Sequence, residues 1–271
     1  MNYVKDVLGY YFKNFLFILV FAIVPAVAMG LLLQPFALFE FLYNYPSYKL
    51  LTFGDMFYAV YGLNWLDILW ILIGLVLIVI SISLLLGFIE NHYKTGNATF
   101  KMEFSLNSNI LSVFKTTILL AIIIFVINVV IMLLMYFVHF LTAVNGVATV
   151  WGGVINYILA ILGLYPIARI FSVFAFSTVE MLINGSPLLV AMSNASLAIA
   201  KNSWHVFFME LILFLIPFAL VILTNLLGIA WLGNILGLIY VLPAICVFGM
   251  SMFFDFYGIK RYDNHKYYYV R

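Results

Sequence analysis

Six stretches of mainly apolar residues, each long enough to cross a lipid bilayer, follow one another along this chain of 271 residues. A helix needs about 20 such residues to span the hydrocarbon core, and in lipid its backbone polar groups are satisfied within the segment. The stretches are residues 15–33, 65–89, 116–140, 149–176, 204–227 and 229–254. We therefore predict an all-α polytopic membrane protein, with residues 1–271 forming a single six-span transmembrane domain.

The scarcity of charge supports the same class of protein and excludes others. Charged residues make up 8% of the chain, whereas a soluble domain carries about 25%, so most of the surface must be solvated by lipid. A net charge of +2 is too small to indicate a polyanionic partner, and no nucleic-acid partner is predicted. The lipid bilayer is the one partner that the composition requires.

The basic residues predict the orientation in the membrane. Of the 12 Lys and Arg residues, Lys49 falls on one side and Arg169 falls inside a span. The others share the opposite side and are Lys5, Lys13, Lys94, Lys101, Lys115, Lys201, Lys260, Arg261, Lys266 and Arg271. Because basic loops stay in the cytoplasm, we expect a multi-pass protein of a bacterial cytoplasmic membrane with both termini cytoplasmic.

The first span has an alternative interpretation as a cleaved signal peptide. Lys13, the apolar stretch after it and the small residues Ala26 and Ala28 resemble a basic region, an apolar core and a cleavage motif. The apolar stretch continues to Leu33, which favours a span that is retained.

The predicted external loop at residues 34–64 is long and rich in Phe and Tyr. Aromatic side chains prefer the headgroup region of a bilayer. We therefore expect this loop either to lie along the outer interface or to fold back over the helix bundle.

The chain has the pattern of three hairpin repeats, at about residues 1–96, 97–185 and 186–271. Each unit has a lysine before its first span, a Gly-Leu pair in its returning span and an acidic residue at the end of that span. The matching positions are Lys13, Lys115 and Lys201, then Gly74, Gly163 and Gly237, then Glu90, Glu180 and Asp255. Residues 97–114 and 186–201 are predicted to form short cytoplasmic interfacial helices.

One segment resembles a known membrane-domain family. Glu180 ends a span, Gly185 and Pro187 precede an amphipathic segment, and Lys201 and Trp204 open the next span. This pattern resembles the integral-membrane domain of bacterial glycerophosphodiester phosphodiesterases and its stand-alone relatives. The resemblance implies fold and location only, since the soluble phosphodiesterase domain has no counterpart here and no catalytic residue carries over.

Two ionisable residues inside predicted spans form the main candidate site. Arg169 lies 11 residues before Glu180, and Glu210 lies nine residues after Lys201. At 1.5 Å per residue these spacings are about 16 and 13 Å from the same membrane side. Charges inside a bilayer are costly and need partners, so we predict that Arg169 and Glu210 pair, either as a structural clamp or as a polar gate or binding site.

Other residues in the spans are secondary candidates. Asn128, His205 and Glu180 are polar groups within or at the ends of spans, and Asn128 is expected to hydrogen-bond a neighbouring helix. Prolines within the spans predict helix kinks; they are Pro25, Pro166, Pro217 and Pro243. Small residues repeat every four positions at Ala22, Ala26 and Gly30, which predicts a close helix contact inside the bundle or with a partner membrane protein.

No motif for catalysis, metal binding or cofactor binding is present in the sequence. It contains no His-Glu-x-x-His, Gly-x-Ser-x-Gly or Gly-x-x-x-x-Gly-Lys pattern. We therefore predict no enzymatic activity, no metal and no cofactor.

Three functions remain open at this level. The leading hypothesis is a non-catalytic bacterial inner-membrane protein, either envelope-associated or binding a partner, which predicts a closed apolar bundle. One alternative is a permease or substrate-binding subunit of a transporter, which predicts a deep polar cavity reaching Arg169 and Glu210. The other is a lipid-handling protein, which predicts a hydrophobic site open between hairpins.

Overall fold

The structure, a computed structural model, describes residues 3–44, 51–97, 102–144 and 149–263. These residues form ten α-helices and no strand. The helices are α1 (Tyr3–Lys13), α2 (Phe15–Leu32), α3 (Ala37–Asn44), α4 (Phe53–Tyr61), α5 (Ile68–Thr95), α6 (Met102–Val144), α7 (Thr149–Asn184), α8 (Leu188–Lys201), α9 (Ser203–Leu226) and α10 (Ala230–Phe256). Six of them, α2, α5, α6, α7, α9 and α10, are long and apolar enough to cross a membrane. The chain is therefore a multi-pass membrane protein.

The helix α6 corrects one predicted boundary. Residues 97–114 were expected to form a separate interfacial helix, but from Met102 onward they are continuous with the span and extend to Val144. No Gly or Pro interrupts this stretch, so the helix continues through the polar residues that precede the apolar span. The segment before α9 does form a separate helix, α8. Gly185, with a left-handed φ of 65°, and Pro187 separate it from α7, and a break in the helical backbone at Asn202 separates it from α9. The predicted external turn at Asn145 and Gly146 lies outside the described residues.

Helix α10 lies at the centre of the bundle. In its apolar window 78% of the residues are buried, against 11% to 39% in the other five spans. It packs against α1, α2, α5, α7 and α9. Close approach is possible because small residues face the neighbouring helices: Gly233 lies against Val221 and Thr224 of α9, and Gly249 lies against Ala175 of α7.

We expect Gly249→Ala to destabilise this packing. A Cβ atom at residue 249 would lie 2.4 Å from the carbonyl oxygen of Ala175, so the two helices would have to separate. The free energy of unfolding in detergent micelles should fall by about 1–3 kcal/mol. The control is Gly9→Ala on α1, where no atom lies within 4 Å of the added methyl group and stability should be unchanged or slightly raised. Equal stability of the two variants would contradict the close α7–α10 contact.

The small-residue face of α2 is occupied within the chain. Ala22 and Ala26 are fully buried, and a Cβ at Gly30 would lie 2.7 Å from the side chain of Ile235 on α10. Of the two predicted uses of this face, the structure places the contact inside the bundle. The face that Ala22, Ala26 and Gly30 share is therefore buried within the single chain, and a partner protein that binds through it stays a prediction.

Each of the four span prolines lies within a continuous helix. Pro25, Pro217 and Pro243 are buried, whereas Pro166 is on the exposed face of α7. The kinks and any hinge role remain predictions.

Candidate functional site

The feature of functional interest is an elongated cavity of about 370 Å³ between helices of the bundle. Helices α5, α6, α7 and α10 form its walls, because α6 and α10 each pack against both α5 and α7. Among the described residues, α5 and α7 do not pack closely on one another, and the cavity separates them. Leu213 and Phe214 of α9 complete the lining on one side.

The cavity runs along the helix axes. On α7 its lining extends from Leu164 to Thr178, and on α6 from Thr116 to Asn128. At 1.5 Å per residue these stretches are about 21 and 18 Å long. The space is therefore long and narrow, and its two ends are called below the roof end, at Asn128, and the floor end, at Thr116 and Thr178.

The loop between the first two spans forms the roof of the cavity. Residues of α3 and α4, including Phe39, Val60 and Tyr61, contribute to the lining. Of the two predicted positions for this aromatic loop, the structure shows that it folds back over the bundle. It does so because its aromatic side chains pack on the ends of the cavity walls, which removes apolar surface from the headgroup region.

Three hydrogen bonds connect the roof to three of the wall helices, α10, α7 and α6. The backbone N–H of Phe36 donates to the Asn234 side chain of α10 at 3.0 Å. The Tyr157 hydroxyl of α7 donates to the carbonyl of Leu42. The Tyr61 hydroxyl of α4 donates to the carbonyl of Asn128 on α6 at 3.0 Å. The roof is thus fixed over the walls by contacts that do not depend on the lipid.

The lining is apolar along most of its length and contains no charged side chain among the described residues. Its polar members are confined to the two ends; they are Tyr61, Thr116, Thr117, Asn128 and Thr178. At the floor end the Thr116 hydroxyl donates to a carbonyl of its own helix, and the Thr178 hydroxyl lies within hydrogen-bond distance of two acceptors, the Thr116 hydroxyl at 3.0 Å and the carbonyl of Phe174 at 2.7 Å. The cavity therefore suits a hydrocarbon ligand and not an ion or a highly polar solute.

Arg169 and Glu210 meet at a different place, between α7 and α9. The Nε atom of Arg169 lies 3.4 Å from Oε2 of Glu210 and donates to the Tyr165 hydroxyl at 3.2 Å. The Ser172 hydroxyl donates to Oε1 of Glu210 at 2.6 Å. The two charged groups predicted at similar depth are thus brought together, with a tyrosine and a serine of α7 completing the contacts.

This pair is buried unequally. The Glu210 side chain is 3% exposed and the Arg169 side chain 24% exposed, so the guanidinium is the outer member. The Nη1 atom of Arg169 and the Oε2 atom of Glu210 are buried without a hydrogen-bond partner among the described residues. Neither residue lines the cavity described above, and the pair is a contact between α7 and α9.

Glu180 joins three segments at the floor end of the bundle. Its Oε1 atom accepts hydrogen bonds from Ser186 at 3.0 Å, from Asn194 of α8 at 3.1 Å and from the Tyr257 hydroxyl at 2.8 Å. Burial and the hydrogen bond to Glu180 raise the pKa of Tyr257. Glu180, itself 1% exposed, therefore connects α7 with α8 and with the segment that follows α10.

The other secondary candidates differ in their surroundings. His205 is exposed at the start of α9, and its ring lies edge-on to Tyr3 at 6.5 Å between centroids. Asn128 is half-buried in the cavity wall. Asn128 contacts another helix through its backbone carbonyl, which accepts the hydrogen bond from Tyr61 of α4.

A second polar cluster, which sequence reasoning missed, ties the segment after α10 to the start of the chain. The Arg261 guanidinium makes two hydrogen bonds to Asp263 at 3.1 and 2.9 Å and stacks 4.0 Å from the Tyr93 ring. Lys13 donates to the carbonyl of Asp263 at 2.8 Å. Burial lowers the pKa of Arg261, but the hydrogen bonds to Asp263 and the electrostatic effects of Tyr93, Asp263 and Asp6 together outweigh burial, so the pKa is raised.

The residues of the cavity were also missed, with the exception of Asn128. Each wall contributes only a stripe of ordinary apolar residues, and no pattern in the sequence separates that stripe from the lipid-facing surface. Within the described ranges, no group of three or more His, Cys, Asp or Glu residues could hold a metal ion. No family model matches the sequence, and comparison with curated proteins and with solved structures gives no significant match.

Proposed function

We propose that this protein is a non-catalytic lipid-handling protein of a bacterial cytoplasmic membrane, and that its cavity holds the hydrocarbon chain of a lipid. The observation that carries the proposal is the long apolar cavity between α5, α6, α7 and α10. Its volume falls within the range of small-molecule sites, about 300–1,000 Å³. Its length of about 20 Å along the helix axes suits a single extended chain.

The energetic argument favours a hydrophobic occupant. An apolar cavity left unfilled is destabilising, because the side chains around it lose packing contacts. Water is a poor occupant because it needs two to four polar partners, and a much smaller apolar cavity of roughly 150 Å³ stays dry and binds benzene. The surrounding bilayer supplies hydrocarbon chains at high concentration.

The other hypotheses receive less support from this geometry. Transport of a polar substrate predicts a polar cavity reaching Arg169 and Glu210, whereas the described cavity is apolar and these residues face each other elsewhere. A partner-binding role predicts a closed apolar bundle, and the small-residue face best suited to a partner helix is used by α10. The resemblance of residues 180–204 to the membrane domain of glycerophosphodiester phosphodiesterases is in keeping with a role in the membrane.

The proposed orientation places the roof on the outer side of the membrane. The positive-inside rule supports cytoplasmic termini, and α3 and α4 then lie in the external loop between the first two spans. A ligand entering beside the roof would come from the outer leaflet.

We also propose that the bundle is built from three hairpin repeats, residues 1–96, 97–185 and 186–271. The cyclic order of helix contacts supports this arrangement. The segment before each first span packs on the returning span of the preceding unit: α1 on α10, the start of α6 on α5, and α8 on α7. The second of these contacts includes a 3.1 Å hydrogen bond from the Asn109 side chain to the carbonyl of Ser83. The first spans α2, α6 and α9 contact the same three returning spans.

Filling the cavity tests the proposed function. Ala121 lines the cavity on α6, so Ala121→Phe should occupy the space of a bound chain. Ala219→Phe makes the identical change at an exposed position of α9 and serves as the control. The measurement is the amount of lipid that copurifies with each variant after extensive detergent exchange, determined by mass spectrometry.

We expect the wild type and Ala219→Phe to retain a defined lipid and Ala121→Phe to lose most of it. Equal lipid retention by all three proteins, or none in the wild type, would contradict the proposed function.

A further inference from the structure

The unusual feature of the cavity is a carboxamide in an otherwise hydrocarbon wall. Asn128 lines the roof end, and its backbone carbonyl accepts the hydrogen bond from Tyr61. Its side chain makes no hydrogen bond with any described residue of the protein. A carboxamide offers two donors and an acceptor oxygen, and a polar group facing an apolar space without a partner is destabilising. This arrangement points to a partner that comes from the ligand.

The threonines at the floor end do not need such a partner. A threonine hydroxyl on a helix can rotate onto a carbonyl of the preceding turn. Thr116 donates to the carbonyl of Ser112 at 3.0 Å, and Thr178 donates to the carbonyl of Phe174 at 2.7 Å. The two hydroxyl oxygens lie 3.0 Å apart, so Thr178 can donate its one proton to Thr116 instead of Phe174. Thr116 and Thr178 are therefore satisfied within the protein, and Thr117 offers a single hydroxyl that can rotate onto its own helix in the same way. The carboxamide of Asn128, with two donors and an acceptor, is the larger polar group and the one that a ligand can satisfy.

The charge of the lining limits the chemistry of that ligand. No acidic or basic side chain lies among the described lining residues, so an ionised carboxylate or phosphate inside the cavity would lack a counter-charge. An uncharged group that accepts or donates hydrogen bonds, such as an ester carbonyl or a primary hydroxyl, matches the carboxamide.

Resting on the proposed function, we infer that Asn128 anchors the uncharged polar end of a single-chain amphiphile at the roof end of the cavity. The hydrocarbon chain extends from Asn128 toward Thr116 and Thr178, a distance of about 18 Å along α6. The polar end lies beside Tyr61, under the roof formed by α3 and α4. The site thus distinguishes an amphiphile with an uncharged head from a plain hydrocarbon and from a charged lipid.

A competition experiment tests this specificity in the full-length protein. The protein is placed in bicelles and photolabelled with a long-chain primary alcohol that carries a diazirine near its tail, and labelling is quantified by mass spectrometry. Unlabelled hexadecanol, hexadecane and hexadecanoate at alkaline pH are the competitors. The variants are Asn128→Leu and the control Asn107→Leu, which makes the same change at an exposed position of the same helix.

In the wild type and in Asn107→Leu, hexadecanol should compete about tenfold better than hexadecane, the effect of about one hydrogen bond, and hexadecanoate should compete poorly. In Asn128→Leu the labelling should persist, which shows that the variant folds, while the preference for the alcohol over the alkane disappears. An unchanged alcohol preference in Asn128→Leu would overturn the role of Asn128 and leave the proposed function intact. Labelling that Ala121→Phe does not reduce would overturn the proposed function and this inference with it.

Discussion

Glu210→Leu should lower the free energy of unfolding by about 3–5 kcal/mol, the usual cost of leaving one member of a buried ion pair uncompensated. The Arg169 guanidinium would keep its contact with Tyr165 but lose the carboxylate 3.4 Å from its Nε atom. Between two transmembrane helices there is no water to replace that charge. The measurement is chemical or thermal unfolding of the purified protein in detergent micelles.

Removing both charges should restore most of the loss. In the double variant Arg169→Leu/Glu210→Leu no charge is left buried, and apolar side chains of similar size can pack between α7 and α9. Arg169→Leu alone should also destabilise the protein, because Glu210 is 3% exposed and would retain only the hydrogen bond from Ser172. This pattern identifies the pair as a structural clamp. Single and double variants of equal stability would argue that the two charges do not depend on each other.

The same set of variants separates stability from ligand binding. Because neither Arg169 nor Glu210 lines the cavity, the double variant, with its stability restored, should retain copurifying lipid. Loss of lipid from a stable double variant would instead favour the polar binding site that the sequence left open.

Glu180→Leu should have an effect of similar size at the floor end of the bundle. Oε1 of Glu180 accepts hydrogen bonds from Ser186, Asn194 and Tyr257, and each donor that loses a charged acceptor costs about 1–3 kcal/mol. We expect a total loss on the order of 3–5 kcal/mol, which is less than the sum because the donors near the surface can turn to water. Hydrogen exchange should show that α8 becomes less protected.

Glu180→Gln is the matched control for this prediction. It keeps an acceptor oxygen of the same shape and removes only the charge, so at least part of the network with Asn194 and Tyr257 can form. We expect it to lie between the wild type and Glu180→Leu in both unfolding and hydrogen exchange. If Glu180→Leu leaves the exchange of α8 unchanged, the acid does not hold α8 in place.

The positions of the spans were predictable because the bilayer imposes a length and a composition on each of them. The six long apolar helices match the six predicted stretches. The prediction was less accurate at the start of α6. Hydropathy changes near residue 115, but no Gly or Pro interrupts the helix there, and it begins at Met102. The prediction of a separate α8 agrees with the structure, since Gly185 and Pro187 divide it from α7 and a break at Asn202 divides it from α9.

The charged pair was accessible from the sequence for a similar reason. Counting residues from Glu180 and Lys201 places Arg169 and Glu210 at a similar depth in the membrane. Opposite charges inside a bilayer are expected to pair, because an unpaired charge is costly there. The count does not give the rotation of a helix about its axis. The structure shows that both residues face the α7–α9 contact and that the cavity lies on another side of α7.

From its sequence alone this protein is determined to be a multi-pass helical membrane protein, because lipid tolerates few charges and demands long apolar helices. Only the tertiary structure decided that α10 is central, that Ala22, Ala26 and Gly30 are used inside the bundle, and that α5 and α7 stand apart around a cavity. The physical reason is that lipid tails and protein interiors are almost equally apolar. The sequence of an apolar stripe therefore does not show whether the stripe contacts lipid or another helix. Close packing at small residues and hydrogen bonds between helices determine which of the two it contacts.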